Sequence, residues 1–276
     1  MNFLDRTLND ITLVAFDTET TGAFPLGFEV VEFGAVKWRA GEIIGELQVL
    51  VKPSRTMSAE VIAIHKITNE MVQDSPPMQD VVAEIRAFLG DAILMAHHAP
   101  FDMGFMTVCF ETFGLPMPAD PVLCTSLLSR KWIAESANHK LQTLVAYLKI
   151  DGGQAHRALD DAKACLQVGL ECWRRAGAEK TLEAIAQSQG KDLRWANYAL
   201  LKNDNNLIRA ISEAVHTSKD MDIIYDGGSL KGSSRRVTPV GIVRNPDGDY
   251  ISAVCHIDRA QKRFYLAKIK DFTIVY

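Results

Sequence analysis

The stretch Ile11-Thr-Leu-Val-Ala-Phe-Asp17-Thr-Glu19-Thr-Thr-Gly22 decides the fold that we expect of this chain. Its first six residues are apolar and β-branched, which predicts a short strand, and Gly22 and Pro25 end it. Side chains two residues apart in a strand point to the same face, so Asp17 and Glu19 project together. Two neighbouring carboxylates are costly unless a cation neutralises them. A solvated strand end followed by a turn is the alternative interpretation.

Strand and helix patterns alternate from this stretch up to residue 176. Predicted strands cover Glu29–Trp38, Glu42–Val51 and Ala92–Ala96, and predicted helices cover Met78–Leu89, Met103–Phe113, Leu141–Leu148 and Leu159–Arg175. Helices that can cover both faces of such a sheet indicate an α/β domain around a mixed sheet. We assign this first domain to residues 1–176.

The pattern changes after Gly177. Residues 177–204 are predicted to form a helical linker with a break at Gly190, and 205–276 a second domain that begins with a helix at Leu207–His216. Five short strands are predicted to follow, at Asp222–Tyr225, Val237–Val243, Tyr250–His256, Phe264–Ile269 and Phe272–Tyr276. Short strands at this spacing indicate a small barrel or sandwich.

Composition excludes several classes of protein. The 276 residues are 47% hydrophobic and 23% charged, which excludes a disordered or fibrous chain. The net charge of −4 excludes a wholly basic surface, although positions 221–276 hold nine Lys/Arg against six Asp/Glu. Five cysteines without a Cys-x-x-Cys pair predict reduced thiols. With no apolar span and no export signal at the N-terminus, we expect a cytoplasmic protein.

A second carboxylate, Asp102, comes directly after the segment Ala96-His-His-Ala-Pro-Phe101. This segment joins the predicted buried strand to the helix pattern that begins at Met103. The end of an interior strand in an open α/β sheet is a common place for a functional charge. Capping of the helix is the alternative explanation of an aspartate at this position.

A third pattern places His156 five residues before Asp161. At ~100° per residue the two positions would be about 140° apart on one helix, so they would not share a face. They converge only if His156 lies in the preceding loop, for which Gly152 and Gly153 provide the turn, and Asp161 lies on the first turns of the helix. A surface histidine before a charged helix start is the alternative.

Taken in this order, the three segments resemble the DEDDh exonucleases, the family of bacterial proofreading subunits, oligoribonucleases and tRNA-trimming enzymes. The resemblance spans roughly 12–175 and implies a ribonuclease H-like mixed sheet flanked by helices. By position it implies four catalytic acids and one distinguishing histidine, namely Asp17, Glu19, Asp102, Asp161 and His156. The five-residue offset from the histidine favours Asp161 over Asp160 as the fourth acid. His98 departs from the family pattern, in which asparagine is usual.

The resemblance also implies cofactors and roles. Two Mg²⁺ or Mn²⁺ ions about 3.5–4 Å apart can serve both ends of an in-line displacement at phosphorus, and carboxylate oxygens suit these ions. We expect Asp17 to bridge the ions, Glu19 and Asp161 to complete the first site, and Asp102 to support the second. His156 is expected to take the proton from the attacking water, since the ordinary pKa of histidine is about 6.5.

Other segments are expected to contact the terminal nucleotide. The residues expected near its sugar are Thr20, Thr21 and Gly22. The segment Ile64–Thr68 is similar to the one that lines the nucleotide pocket in this family, which would place Ile67 against the base and His65 in contact with it. Phe101 is expected to stack on a base. Packing in the protein core is the alternative for Ile67 and Phe101.

The last 70 or so residues contain a second ordered set of segments: Leu207–Glu213, Ile223–Tyr225, Arg235–Pro239, Tyr250–Ala253 and Arg263–Ile269. This order resembles WYL domains, small Sm-like β-barrels of bacterial regulators that bind nucleic acid or other negatively charged ligands. Asp249-Tyr250-Ile251 stands where that family has Trp-Tyr-Leu. Five cations and one aromatic residue are expected to form a patch for single-stranded nucleic acid: Arg235, Arg236, Lys262, Arg263, Lys268 and Tyr250. A solvated surface that serves only in docking or folding is the alternative.

These resemblances imply a metal-dependent 3′–5′ exonuclease that releases nucleoside monophosphates from DNA 3′ ends, single-stranded ends above all, with an accessory domain that binds nucleic acid or regulates. A 3′–5′ exoribonuclease acting on short RNA or tRNA ends would use the same chemistry, because discrimination depends on a few contacts to the 2′-hydroxyl. A rival from another class is a catalytically idle nucleic-acid sensor or polymerase accessory protein, against which the clustered acids argue. A polymerase or repair complex is a candidate partner, and no membrane is expected.

Overall fold

Two five-stranded sheets organise this computed structural model, which describes residues 3–228 and 230–276. The strands of the first sheet are β1 (Thr12–Thr20), β2 (Val30–Arg39), β3 (Glu42–Leu50), β4 (Ile93–Ala96) and β5 (Leu123–Cys124). The strands of the second are β6 (Asp220–Tyr225), β7 (Ser234–Val243), β8 (Tyr250–Cys255), β9 (Ala260–Tyr265) and β10 (Ile269–Val275). Met1 and Asn2, which begin the segment expected to lack an export signal, and Ser229 lie outside the described residues.

The first sheet is mixed and the second is antiparallel throughout. The strand order of the first sheet is β3-β2-β1-β4-β5, with β1 antiparallel to β2 and parallel to β4. The second sheet has the order β10-β6-β7-β8-β9. The predicted architecture, an α/β domain with a mixed sheet followed by a small all-β domain, is confirmed.

Helices cover both faces of the first sheet and one face of the second. The α-helices are α1 (Ala59–His65), α2 (Asn69–Val72), α3 (Met78–Leu89), α4 (Pro100–Thr112), α5 (Thr125–Trp132), α6 (Leu141–Leu148), α7 (Ala158–Ala176), α8 (Leu182–Ser188) and α9 (Asn206–Thr217). Short 3₁₀ helices lie at Phe3–Asp5, Leu8–Asp10, Trp195–Tyr198 and Leu266–Lys268. Among the residues that the structure describes, no helix has the length and apolar character needed to cross a bilayer.

Several predicted elements differ from the structure. The strand predicted at Phe264–Ile269 is wrong in position, because β9 ends at Tyr265 and a 3₁₀ turn follows. Strand β9 is exposed at most of its residues, so it carries no apolar pattern by which to locate it. The helical linker is broken more extensively than predicted, into α8 and the 3₁₀ turn Trp195–Tyr198, with Gly190 between them at a φ of 72°.

Alternate side chains of β1 enter two different cores. Leu13 and Ala15 pack in the layer that contains α5 to α8, whereas Val14 and Phe16 pack with α3 and α4 on the other face. Because side chains alternate along a strand, the same pattern carried past Phe16 directs positions 17 and 19 toward the α7 layer and position 18 toward the α4 layer. The hydrophobic pattern of the strand thus sets where its polar end points.

The predicted linker is part of the first domain's core rather than a free tether. Trp195 is 1% exposed and stacks on Phe16 with ring centroids 6.3 Å apart. Its backbone N–H donates to Asp120 Oδ1 at 3.0 Å. The side chain of Gln189 bridges the same core, accepting from the N–H of Cys124 at 2.9 Å. The chain beyond residue 176 therefore completes the packing of the α/β domain.

The two domains also pack directly against each other. The buried Glu111 carboxylate of α4 accepts hydrogen bonds from three consecutive backbone N–H groups, those of Leu200, Leu201 and Lys202, at 3.0, 2.9 and 3.0 Å. Gly241 of β7 lies so close to Phe24 that a Cβ atom there would be 2.3 Å from the Phe24 Cβ. These contacts join α4 and the turn after β1 to the second domain.

Close packing at Gly34 of β2 places the start of α7. A Cβ atom built at Gly34 would lie 2.1 Å from the backbone nitrogen of Leu159 and 2.2 Å from the carbonyl carbon of Ala158. Gly34 is also the register partner of Asp17 in β1. The absence of a side chain at this position lets the first turn of α7 approach the polar end of β1.

We predict that Gly34→Ala destabilises the protein by about 1–3 kcal/mol or more, because the added methyl group meets backbone that must move. Gly45→Ala in β3 is the matched control, since its added Cβ would be 3.4 Å from a Phe88 ring atom, an ordinary contact. Denaturant unfolding of both variants measures the difference. Equal stability of the two variants would contradict this account of Gly34.

Candidate active site

Asp17 and Glu19 lie on the last residues of β1, which continues through Thr20 rather than ending at Phe16 as predicted. Glu19 is 9% exposed and Asp17 is partly buried. Both belong to the face of β1 on which α7 packs, and Thr18 between them belongs to the other face. The alternation that fills the two cores therefore sets the two acids side by side.

Asp102 lies in the first turn of α4 and is 2% exposed. The helix begins at Pro100, so the alternative of an N-capping aspartate does not describe this position. Its Oδ1 instead accepts hydrogen bonds from the backbone N–H of Thr18 at 2.9 Å and from the Thr18 hydroxyl at 2.8 Å. Asp102 is thereby tied to β1 between the two acids of that strand.

His156 lies in a loop, and Asp161 lies on the helix that follows it. Arg157 caps α7, so His156 lies just outside the helix, with a φ of 61°, and Asp161 lies in its first turns. The backbone N–H of His156 donates to Asp161 Oδ2 at 2.9 Å, and Gln142 Nε2 donates to Oδ1 at 3.0 Å. Asp160 faces the loop, where it accepts from the N–H of Gln154 at 2.8 Å.

These side chains converge on one small region. Glu19, His156 and Asp161 each offer a ligand atom, and the three atoms lie within 4.8 Å of one another. Asp17 and Asp102 belong to the same electrostatic group, since the Asp102 charge raises the pKa values of both Asp17 and Glu19, and the Glu19 charge also raises that of Asp17. Oxygen-rich donors of this kind fit Mg²⁺ or Mn²⁺. The residues present therefore fit a divalent-ion site.

The carboxyl pKa values record how unfavourable this cluster is without a cation. Burial, and then the neighbouring Asp102 and Glu19 charges, raise the pKa of Asp17 well above its usual value. Burial and the Asp161 charge raise the pKa of Glu19 to about 8. Burial raises the pKa of Asp102 to about 7, against the lowering effect of the Thr18 hydrogen bonds. Clustered charges that a fold holds in this way are typical of functional sites.

One supporting residue was absent from the sequence-based candidates. Glu32 of β2 is fully buried and is the register partner of Glu19. Its carboxylate accepts from Arg157 Nη2 at 2.7 Å and from the backbone N–H of Ala158 at 2.9 Å. Glu32 thus fixes both residues that follow His156. A lone acid within an apolar strand that is covered on both faces was the signal that could have identified it.

The residues expected near the sugar close a turn. The Thr20 hydroxyl donates to the carbonyl of Gly22 at 2.7 Å, and the Thr21 hydroxyl accepts from the N–H of Glu29 at 2.9 Å. A Cβ atom at Gly22 would be 2.2 Å from the ring of Phe28. The hydroxyls of this motif are therefore engaged within the protein, where they shape the turn beside the acids.

The three residues expected near the base, Ile67, His65 and Phe101, have different environments in the structure. Ile67 is fully buried in a small core with Val31, which matches the packing alternative. His65 is 2% exposed; its Nδ1 accepts from the N–H of Ile67, and its Nε2 is buried with no hydrogen-bond partner among the described residues. Phe101 is partly buried, with its ring 5.0 Å from that of Phe105.

The six residues expected to form a basic patch do not lie on one surface. Arg235 is 5% exposed, with its guanidinium against the rings of Tyr225 and Phe264, so this arginine faces the interior. Arg236 pairs with Asp222, and Lys268 lies over the Tyr265 ring. Three residues of the set line one cavity together: Tyr250, Lys262 and Arg263.

Family models match both parts of the chain. Residues 14–168, more than half of the chain, match the model described as exonuclease (RNase_T), and residues 206–274 match the WYL domain. The DNA polymerase III PolC-type of Bacillus subtilis (strain 168) is 38% identical over 183 residues, which are 66% of this chain and 13% of that protein. The chain therefore spans a small part of the length of this curated relative.

Solved structures share the fold. The nuclease domain of 3′hExo, a DEDDh family member bound to rAMP, has a TM-score of 0.52 at 20% identity, covering 61% of this chain and 94% of that one. Exonuclease I has a TM-score of 0.55 at 15% identity and covers 88% of this chain and 55% of that one. The similarity to exonuclease I covers more of this chain than the match to residues 14–168, so the shared fold extends beyond the first domain.

We predict that a divalent ion stabilises the protein more at about pH 8 than at about pH 5.5. Between these values the folded, metal-free protein keeps protons that the unfolded chain has released, because the pKa values of Glu19 and Asp102 are raised to about 8 and about 7. The contribution of these acids to stability is therefore lost as pH rises, and a cation restores it.

Thermal unfolding with Mn²⁺ or with chelator at the two pH values tests this prediction. Asp17→Asn removes one of the clustered charges, so it should raise the melting temperature in chelator at the higher pH and reduce the shift caused by Mn²⁺. A shift caused by Mn²⁺ that is the same at both pH values would contradict the proposed cause.

We predict that Glu32→Gln costs about 1–3 kcal/mol in the free energy of unfolding, because it leaves Arg157 without its carboxylate partner in a largely buried site. Glu46→Gln is the matched control, since the Glu46–Lys163 pair is exposed at 41% and 32% and such pairs contribute less than about 1 kcal/mol. Denaturant unfolding measures both values. A smaller loss for Glu32→Gln than for Glu46→Gln would refute the role assigned to Glu32.

Proposed function

The chain belongs to the exonuclease family, and on that premise we propose that it is a metal-dependent 3′–5′ exonuclease that releases nucleoside monophosphates from DNA 3′ ends. The observation that carries the proposal is the convergence of the acids of β1, α4 and α7 beside the imidazole of His156. A protein that only bound nucleic acid would have no use for carboxylates gathered against their mutual repulsion.

We assign the divalent ions to four carboxylates: Asp17, Glu19, Asp102 and Asp161. Bound Mg²⁺ or Mn²⁺ ions would neutralise the scissile phosphate and stabilise the anionic leaving oxygen, which is the 3′-oxygen of the penultimate nucleotide. The chain itself holds these acids in place through Thr18, which fixes Asp102, and through Gln142 and the N–H of His156, which fix Asp161. Each of these bonds leaves the neighbouring acids free to bind a cation.

His156 is the proposed proton acceptor for the attacking water. Its side chain is exposed, so water reaches it, and an unprotonated imidazole nitrogen can accept a proton. Its backbone is held from both sides, by its own N–H bonded to Asp161 and by Glu32 bonded to the next two residues. The same loop therefore positions the base and an ion-binding acid relative to each other.

DNA is the proposed substrate, with single-stranded 3′ ends preferred. The curated relative is a DNA polymerase III, which supports DNA as the substrate and a polymerase as a partner. The unpartnered Nε2 of the buried His65 supports a contact to the terminal nucleotide, because a buried polar atom without a partner is costly until a ligand satisfies it.

We predict that purified protein shortens end-labelled DNA from its 3′ end in Mg²⁺ or Mn²⁺ and not in chelator. His156→Ala should lower the rate by about 10²–10⁴-fold, the usual contribution of a positioned acid or base, and Asp17→Asn should lower it at least as far. His216→Ala, at an exposed histidine of α9, is the control and should leave the rate unchanged.

The assay compares single- and double-stranded DNA and RNA of the same sequence, labelled at either end. Full activity of His156→Ala in a pure preparation would disprove the assignment of the base. Faster digestion of RNA than of DNA would replace the proposed substrate by the RNA alternative and leave the chemistry in place.

A further inference from the structure

A cavity of about 470 Å³ lies between the two domains. One wall is formed by the turn after β1 and the beginning of α4, including Phe24, His98 and Phe101. The opposite wall is formed by β8 and β9, including Tyr250, Lys262 and Arg263. The volume is within the range of about 300–1,000 Å³ that ligand sites occupy. Neither domain forms this cavity alone.

The interdomain cavity is adjacent to the catalytic acids along the chain. Phe24 follows two residues after Gly22, the end of the motif that contains Asp17 and Glu19. Phe101 directly precedes Asp102 in the first turn of α4. The wall contributed by the first domain is therefore built from the turn that follows the strand of Asp17 and Glu19 and from the helix start that carries Asp102.

The charges that line the cavity are positive. Among the described residues that line it, Arg244, Lys262 and Arg263 are cationic and none is Asp or Glu. Arg244 is engaged in the domain contact, where its Nη1 donates to the carbonyl of Ala199 at 2.9 Å. Lys262 forms an exposed ion pair with Asp258. Such a pair contributes little free energy, so a phosphate can replace Asp258 as the partner of Lys262 at small cost. The exposed Arg263 has no carboxylate partner among the described residues.

Aromatic faces accompany these cations. Phe24, Phe101 and Tyr250 are all partly exposed within the cavity. The Arg263 guanidinium lies 5.0 Å from the centre of the Tyr250 ring, so a cation and a stacking platform occur together. Aromatic side chains stack on bases of any sequence, at about 1–3 kcal/mol per base, and adjacent cations bind the backbone. A small cavity of this kind accepts unpaired nucleotides, whose bases can be splayed onto it, rather than a paired duplex.

We propose that the interdomain cavity binds the unpaired nucleotides on the 5′ side of the scissile bond while the 3′ nucleotide occupies the acid cluster. This inference rests on the proposed exonuclease function and specifies how the second domain contributes to it. Lys262 and Arg263 bind the phosphates, and Tyr250 and Phe24 stack with the bases. A substrate long enough to fill the cavity is bound by both domains, and a dinucleotide is bound by the acid cluster alone.

The test compares a single-stranded 12-nucleotide DNA with a dinucleotide. The double variant Lys262→Gln/Arg263→Gln should raise the Kd of the 12-mer, measured by fluorescence anisotropy in chelator, by about tenfold or more. It should also reduce the slope of log K against log salt by about 1.4, since each phosphate contact on a single strand contributes about 0.7. Hydrolysis of the dinucleotide in Mn²⁺ should be unchanged. Tyr250→Leu, which keeps an apolar side chain, should weaken binding of the 12-mer without changing the slope.

Lys270→Gln is the matched control, because Lys270 is an exposed cation of β10 that does not line the cavity. Its effect on the Kd should be less than twofold, and the melting temperatures of all variants should match that of the parent protein. Unchanged binding of the 12-mer by the double variant, or an equal loss on the dinucleotide, would overturn the inference. Loss of binding by the double variant in a protein that hydrolyses neither substrate would support the cavity and refute the proposed exonuclease function.

Discussion

The repulsion among four carboxylates at the end of β1 is the constraint that the rest of the site satisfies. Burial and mutual charge raise the pKa values of Asp17, Glu19 and Asp102, so the fold gathers these acids at a cost in free energy. Backbone donors offset part of it: the N–H of Thr18 binds Asp102 and the N–H of His156 binds Asp161. A rigid anionic site that lacks its cation gains from binding one, and this is the physical basis of the proposed chemistry.

Sequence reasoning located most of the elements that carry the site, because hydrophobic periodicity is strong where a strand or helix has one apolar face. It failed where burial is polar. Helix α5 was missed because its buried face includes Thr125, Ser126 and Ser129, which carry no hydrophobic signal. Glu32 was missed for a different reason. A single acid in an apolar strand marks a residue to explain, but only the pairing of β2 with β1 shows that it lies opposite Glu19.

The basic patch illustrates a different limit of the sequence. Composition identified the cations of the second domain, but only the strand register decides which of them face the same way. Arg235 lies in the interior against aromatic rings, whereas the adjacent Arg236 is paired at the surface. The cavity that Lys262 and Arg263 line has its other wall in the first domain. A surface that two domains build together cannot be found from the pattern of either one.

The carboxylate of Glu111 has a consequence for the modularity of the chain beyond its part in domain packing. Glu111 lies on α4, the helix whose first turn contains Asp102. Its carboxylate accepts hydrogen bonds from the three successive backbone N–H groups of residues 200–202. Truncation of the chain after residue 176 would leave that buried carboxylate without its three backbone donors. It would also remove Trp195, which stacks on Phe16. The α/β domain thus relies on the chain beyond residue 176 to finish its own interior, so residues 1–176 are not a self-sufficient, exchangeable module.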